Sequence, residues 1–180
     1  MFSLLRKKKV NEDQIANIIV NSIFESVDKS FHDVACLIND DPAFEKSPNL
    51  SEQDSEYFLF IVICGNINNL YKHFSVEQAS KIETKMIEKL AVIFEKEFLQ
   101  VERYLGKFQS YIDSINKPSK NFLYGMSKAL FYKYDLNDFQ DDYFRKMRTP
   151  NPIFLKRMDE VMDRFLWDWT NFNEKYKISV

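Results

Sequence analysis

Two histidines, His32 and His73, limit the nucleophilic and metal chemistry open to this chain of 180 residues. A Ser–His–acid or Cys–His arrangement needs its histidine in a pocket together with its partners. On a helical wheel His32 lies opposite the apolar stripe of its segment, beside Glu25 and Asp28, which indicates a solvent-exposed face. His73 falls on the polar side of another segment, and a lone histidine gives little support for haem ligation. We therefore expect neither a catalytic histidine nor a haem.

Carboxylate pairs suited to magnesium or di-iron chemistry are incomplete in the sequence. Helical nucleotide pyrophosphatases pair ExxE with ExxD; Glu160 and Asp163 supply the second half, but no two glutamates are three residues apart. Di-iron bundles need two Glu-x-x-His motifs, and none can be written here. The cluster of Asp138, Asp141 and Asp142 is typical of an acidic, solvated turn. We predict no catalytic residues, no metal site and no cofactor.

Glycine, charge and cysteine usage exclude further classes of function. The three glycines, Gly65, Gly106 and Gly125, cannot form a GxGxxG or a GxxxxGK[ST] motif, so dinucleotide-binding and P-loop folds are excluded. The net charge is −2, with 25 cations spread among 27 anions, which argues against nucleic-acid binding. Cys36 and Cys64 lie in apolar surroundings without a CxxC motif, which favours buried free thiols in a reducing cytoplasm.

Hydrophobic spacing predicts helices as the elements that position these residues. A first helix begins at Asn11 and ends near Asn39, with apolar residues at three- and four-residue steps. A second begins at the capping box Ser51–Asp54, and its apolar first half (YFLFIVIC) is expected in the middle of the fold.

Helical spacing then continues without interruption from Ala79 to Ile115. One straight helix of that length would project from a compact domain, so we expect a break or sharp bend near Gly106. A further helix follows Pro118. The final helix begins with Asn151 as N-cap and Pro152 at its first position, and its apolar stripe runs on to Tyr176.

These elements predict an all-α fold. We expect a compact, mixed helical bundle of five to seven helices with no β-sheet, forming a single domain over residues 11–180. Residues 1–10 are predicted to be a flexible, basic N-terminal tail. The longest apolar stretch is too short to span a bilayer, so we expect a soluble protein.

The N-terminal tail is the first candidate for an outward-facing function. Its apolar residues precede its charges, unlike those of an export signal. The interpretations are a tail without such a role, a weak, reversible contact with an anionic membrane, and, least favoured, an arm that contacts nucleic acid. The candidate membrane-contact residues are Phe2, Leu4, Leu5, Arg6, Lys7, Lys8 and Lys9.

Trp167 is the second candidate, because it projects opposite the apolar stripe of the final predicted helix. Asp163 and Thr170 lie on the same predicted face. Tryptophan among charged residues is typical of an interface anchor, although coverage by another segment of the same chain would explain it equally well.

The sequence favours a non-catalytic protein that acts through protein–protein interaction or self-association. The alternative is a ligand-binding or metal-dependent helical enzyme whose site combines residues from several helices.

Overall fold

The structure, a computed structural model, describes residues 7–178 and has the all-α architecture that the sequence predicts. Within that range the helices are α1 Glu12–Asn39, α2 Ser55–His73, α3 Val76–Ile93, α4 Phe98–Asn116, α5 Phe122–Lys133, α6 Asp142–Met147, α7 Pro152–Asp163 and α8 Trp169–Lys175. These eight exceed the predicted five to seven because the final predicted helix is divided and the acidic segment forms α6.

Helix α1 begins and ends where the sequence predicts. The side chain of Asn11 accepts a hydrogen bond from the Gln14 N–H, and the Gln14 side chain accepts one from the Asn11 N–H. This capping box satisfies two backbone donors that the first turn leaves unpaired. The apolar stripe from Ile15 to Ile38 is buried, mainly against α3.

Helix α2 lies in the centre of the bundle, as predicted from its apolar first half. It contacts α1, α3, α4 and α5, and the residues from Phe60 to Ile67 are buried on every side. A short 3-10 helix, Glu52–Asp54, precedes it and carries the predicted capping box at Ser51.

The chain turns between α3 and α4 at Phe94–Glu97, so the bend expected near Gly106 is wrong. Glu95 adopts a left-handed conformation with φ of 53°, and the Lys96 N–H donates to the Ala91 carbonyl. These two features end α3 in the manner of a left-handed cap. Glu97 and Gln100 then form a capping box that starts α4. Gly106 lies inside α4.

The predicted final helix is divided into α7 and α8 at residues 164–168. Asn151 caps α7 and Pro152 is its first residue, as predicted. Asn66 of α2 donates to the Phe165 carbonyl at 2.9 Å and accepts from the Trp167 N–H at 2.8 Å. These bonds satisfy backbone groups that a continuous helix would pair within itself, so the chain leaves α7 without a loss of hydrogen bonds.

The prediction of no β-sheet is corrected by one short pair of strands. Strand β1, Lys8–Val10, pairs in parallel with β2, Tyr176–Ile178. Val10 is 3% exposed and belongs to the hydrophobic core. The predicted boundary between tail and domain therefore moves toward the N-terminus, because residues 8–10 are part of the fold.

The core is one continuous cluster of aromatic and aliphatic side chains contributed by most of the helices. Among the described residues, no helix combines the length and the apolar character needed to cross a membrane.

Candidate interaction site

Trp167 lies in the connection between α7 and α8 and is half-buried. Its ring centroid is 6.4 Å from that of Trp169 and 6.0 Å from that of Phe172. Its backbone is fixed to α2, because Asn66 accepts from its N–H and Asn69 donates to its carbonyl. The chain thus covers part of this indole itself.

The helical face expected to join Trp167 with Asp163 and Thr170 is not formed, since the three residues lie on different elements. Asp163 ends α7, Thr170 lies in the first turn of α8, and both are exposed. The indole Nε1 of Trp167 is buried and has no acceptor among the described residues. Whether these residues contact a partner stays a prediction.

Four of the seven candidate membrane-contact residues, Phe2, Leu4, Leu5 and Arg6, lie outside the described residues. Lys7 is exposed, and its Nζ donates to the Asn173 carbonyl at 2.5 Å. Lys8 and Lys9 are exposed in β1. The membrane contact stays a prediction.

His32 is exposed, as its position on the helical wheel predicts, but its contacts with Cys36 and Glu52 were not predicted. Its Nε2 lies 3.7 Å from Cys36 Sγ, and its Nδ1 lies 3.0 Å from Glu52 Oε1. Cys36 is exposed, so the prediction of two buried thiols holds for Cys64 alone. Periodicity misplaced Cys36 because this position lies beside the buried stripe of α1 and not within it.

The acidic motifs support local structure. Asp141 caps α6 by accepting from the N–H groups of Tyr143 and Phe144, and Asp142 pairs with Arg145. Across residues 7–178, no group of three or more His, Cys, Asp or Glu side chains is placed to hold a metal ion. The helical-enzyme alternative therefore stays a prediction.

A groove lined by aromatic side chains lies between α2, the α3–α4 turn and α4, and we call it the aromatic groove. It encloses about 540 Å³, and its ring-bearing walls are Phe60, Phe94 and Tyr104. The Phe60 centroid lies 5.5 Å from that of Phe94 and 4.7 Å from that of Tyr104, the latter in an edge-to-face arrangement. Such contacts hold the rings in a fixed geometry. The charged lining residues are Glu56 and Lys96, both exposed.

Exposed apolar side chains adjoin this groove along the chain, and we call them the apolar corner. Val92 is 78% exposed and Leu99 is 64% exposed; Ile93 and Tyr104 are exposed as well. Single exposed apolar residues are ordinary on a protein surface, and these four lie close together in sequence on the two sides of the α3–α4 turn.

A lysine covers the neighbouring rings of α4. Lys133 Nζ lies 4.9 Å from the centroid of Phe108, 4.5 Å from that of Tyr111 and 5.3 Å from that of Tyr57. This cation–π arrangement places the lysine charge against rings of both α2 and α4.

Sequence reasoning missed this site because it interpreted Phe94 and Phe98 as parts of one uninterrupted stripe. The available signal was the charged insertion FEKEF, in which three charged residues separate the two phenylalanines. No model of a protein family matches this chain, and neither a curated protein nor a solved structure matches it.

Proposed function

We propose that the protein is a non-catalytic helical protein that associates with a second copy of itself through the aromatic groove and the apolar corner. The observation that carries the proposal is the group of exposed apolar side chains at the α3–α4 turn, led by Val92 and Leu99. Burying each of them on association would contribute up to about 1.5–3 kcal/mol, less the cost of ordering the interface.

Charge favours a second copy as the occupant. Glu56 and Lys96 both line the groove and carry opposite charges. A two-fold axis passing between them places Glu56 of each copy beside Lys96 of the other, so the surface is self-complementary. This arrangement pairs every lining charge without a second protein.

We also propose a reducing compartment such as the cytoplasm. Support comes from Cys36 and Cys64, which are both free thiols in this fold.

Sedimentation equilibrium tests the association. We expect a concentration-dependent dimer, and we expect Leu99→Glu to weaken it by about 2 kcal/mol or more, as truncation of a hot spot does. Ile153→Glu is the matched control, because Ile153 is 63% exposed on α7 and belongs neither to the apolar corner nor to the aromatic groove.

A charge exchange tests the two-fold geometry. Glu56→Lys should weaken the dimer, and adding Lys96→Glu in the same chain should restore it. A wild-type protein that stays monomeric at high concentration, or an equal effect of Leu99→Glu and Ile153→Glu, would contradict the proposal.

A further inference from the structure

A second groove runs between the C-terminal part of α1 and α7 and encloses about 610 Å³. The α1 side is lined by Asp33, Cys36, Leu37 and Asp40, and the α7 side by Arg157, Met158, Glu160, Val161 and Arg164, the last being the C-cap of α7. On each side these residues include pairs separated by three, four or seven positions in sequence, which is the spacing of side chains on a single helix face. The groove is therefore a channel between two helical ridges.

An ion pair joins the two sides of this groove. Asp41 is 5% exposed and accepts from Arg157 Nε at 2.7 Å and from its terminal nitrogen at 2.5 Å. Asp41 also accepts from the Ala43 N–H at 2.9 Å. This two-point pairing joins the end of α1 to α7 and holds the ridges apart at a set distance.

The groove carries an excess of negative charge. Its lining acids are Asp33, Asp40, Asp41 and Glu160, and its lining bases are Arg157 and Arg164. Asp41 and Arg157 neutralise each other, which leaves three carboxylates against Arg164. We call this feature the acidic groove.

Its apolar surface is suited to a side chain from another molecule. Leu37 is 53% exposed on the α1 side, and the α7 side contributes the accessible edges of the largely buried Met158 and Val161. Methionine adapts its shape to an incoming side chain, because it is unbranched and flexible. A groove with an apolar floor and charged ridges is the surface to which amphipathic helices bind.

We propose that the acidic groove binds a basic amphipathic helix of a partner protein. The partner's apolar face would cover Leu37 and Met158, and its lysines or arginines would face Asp33, Asp40 and Glu160. The charge excess disfavours both nucleic acid and an acidic helix. This site shares no lining residue with the aromatic groove, so it is independent of self-association.

Cys36 reports on occupancy of the groove. It is exposed and lines the groove, whereas Cys64 is buried and burial raises the pKa of its thiol. Because the thiolate is the reactive form, iodoacetamide should modify Cys36 and spare Cys64 in the folded protein. A ligand seated in the groove should then slow the alkylation of Cys36.

The probe is a synthetic amphipathic peptide of leucine and lysine, about 15 residues long, and its control is the same peptide with glutamate in place of lysine. We expect the lysine peptide to bind, to slow alkylation of Cys36 at saturation, and to lose affinity as salt is raised. We expect no binding of the glutamate peptide. Equal binding of both peptides, or unchanged alkylation at saturation, would overturn the proposal.

Charge-reversal variants locate the site. Glu160→Lys should weaken binding of the lysine peptide by about tenfold. Glu174→Lys makes the same change in net charge at an exposed position on α8 and should leave binding unchanged. An equal loss in both variants would mean that net charge alone attracts the peptide, and the proposal would be wrong.

Two measurements separate this proposal from self-association. Leu99→Glu should bind the lysine peptide as the wild type does, and Glu160→Lys should form the same dimer as the wild type. If Leu37→Glu abolishes the dimer instead, a second copy occupies the acidic groove, and the partner-helix proposal fails.

Discussion

Tyr134 joins the end of α5 to the start of α2 through one hydroxyl group. This hydroxyl donates to the Asp54 carbonyl at 2.5 Å and accepts from the Phe58 N–H at 3.1 Å. Phe58 is fully buried, so its N–H has no route to water if the hydroxyl is removed.

Tyr134→Phe should therefore lower the free energy of unfolding by about 1–3 kcal/mol in urea denaturation. Tyr132→Phe is the control, because the Tyr132 hydroxyl makes only a long contact, at 3.5 Å, with the Arg148 carbonyl. Burial raises the pKa of Tyr134, so its proton stays in place in the folded protein and the difference should persist up to about pH 10. Equal stability of both variants would contradict this role.

A second prediction at the residue scale concerns the effect of replacing Trp167. Because its ring packs on Trp169 and Phe172 within the chain, Trp167→Ala should destabilise the fold by about 3 kcal/mol. The dimer constant, measured on protein that is still folded, should not change. Thr170→Ala and Asp163→Ala, at exposed positions, should stay within about 0.5 kcal/mol of the wild type. A stable Trp167→Ala variant with weakened association would instead make Trp167 an interface anchor.

At the scale of elements, Gly106 tests where the chain bends. It lies on the exposed side of α4, and an added Cβ would meet no atom within 4 Å. Gly106→Ala should therefore raise stability by about 0.8–1 kcal/mol, because alanine favours a helix interior over glycine.

Gly125 provides the opposite case inside α5. Its added Cβ would lie 2.9 Å from Ile112 Cγ2 and 3.2 Å from Asn116 Cγ. Gly125→Ala should therefore lower stability by about 1–3 kcal/mol through overpacking. In thermal or urea denaturation, the changes in the free energy of unfolding of the two variants should have opposite signs. A loss of stability in Gly106→Ala would instead support the bend that was predicted near Gly106.

The elements that could be predicted are those whose signals are local. Asn11, Ser51 and Asn151 each stand directly before an apolar periodic segment, and each begins a helix or its leading 3-10 turn. The division between α7 and α8 could not be predicted, because the hydrogen bonds that replace the helical ones come from Asn66, about a hundred residues away. A capping signal is available in the sequence, whereas a distant partner is not.

The two grooves could not be predicted for the same reason, namely that they depend on residues distant in sequence. Each combines residues from segments far apart in the chain, so neither has a contiguous motif. The α3–α4 turn was missed because Phe94 keeps helical spacing while Glu95 adopts a positive φ. Hydrophobic periodicity records which side chains are buried and does not record where the backbone changes direction.

For the molecule as a whole, the pairing of β1 with β2 ties the N-terminal segment to the end of the chain. Val10 is buried where it pairs with Ile178, so Val10→Ala should cost about 2 kcal/mol. At this chain length the melting temperature should fall by roughly 4–8 °C.

Lys9→Ala is the matched control, because Lys9 occupies the same strand with an exposed side chain and keeps its backbone pairing with Lys177. Its melting temperature should stay close to that of the wild type. Equal melting temperatures for Val10→Ala and the wild type would mean that residues 8–10 do not stabilise the fold and belong to the tail, as predicted from the sequence.

The parallel direction of this strand pair also determines how the protein resists force. The chain enters at the start of β1 and leaves after the end of β2, and the register matches Lys8 with Tyr176 and Val10 with Ile178. Pulling residues 8 and 178 in opposite directions therefore slides the strands past each other, and the load falls on all the pairing hydrogen bonds together. Tension on a bundle without these strands would instead peel its first and last helices away one turn at a time. The two short strands thus act as a shear clamp that must rupture before the helices begin to unravel.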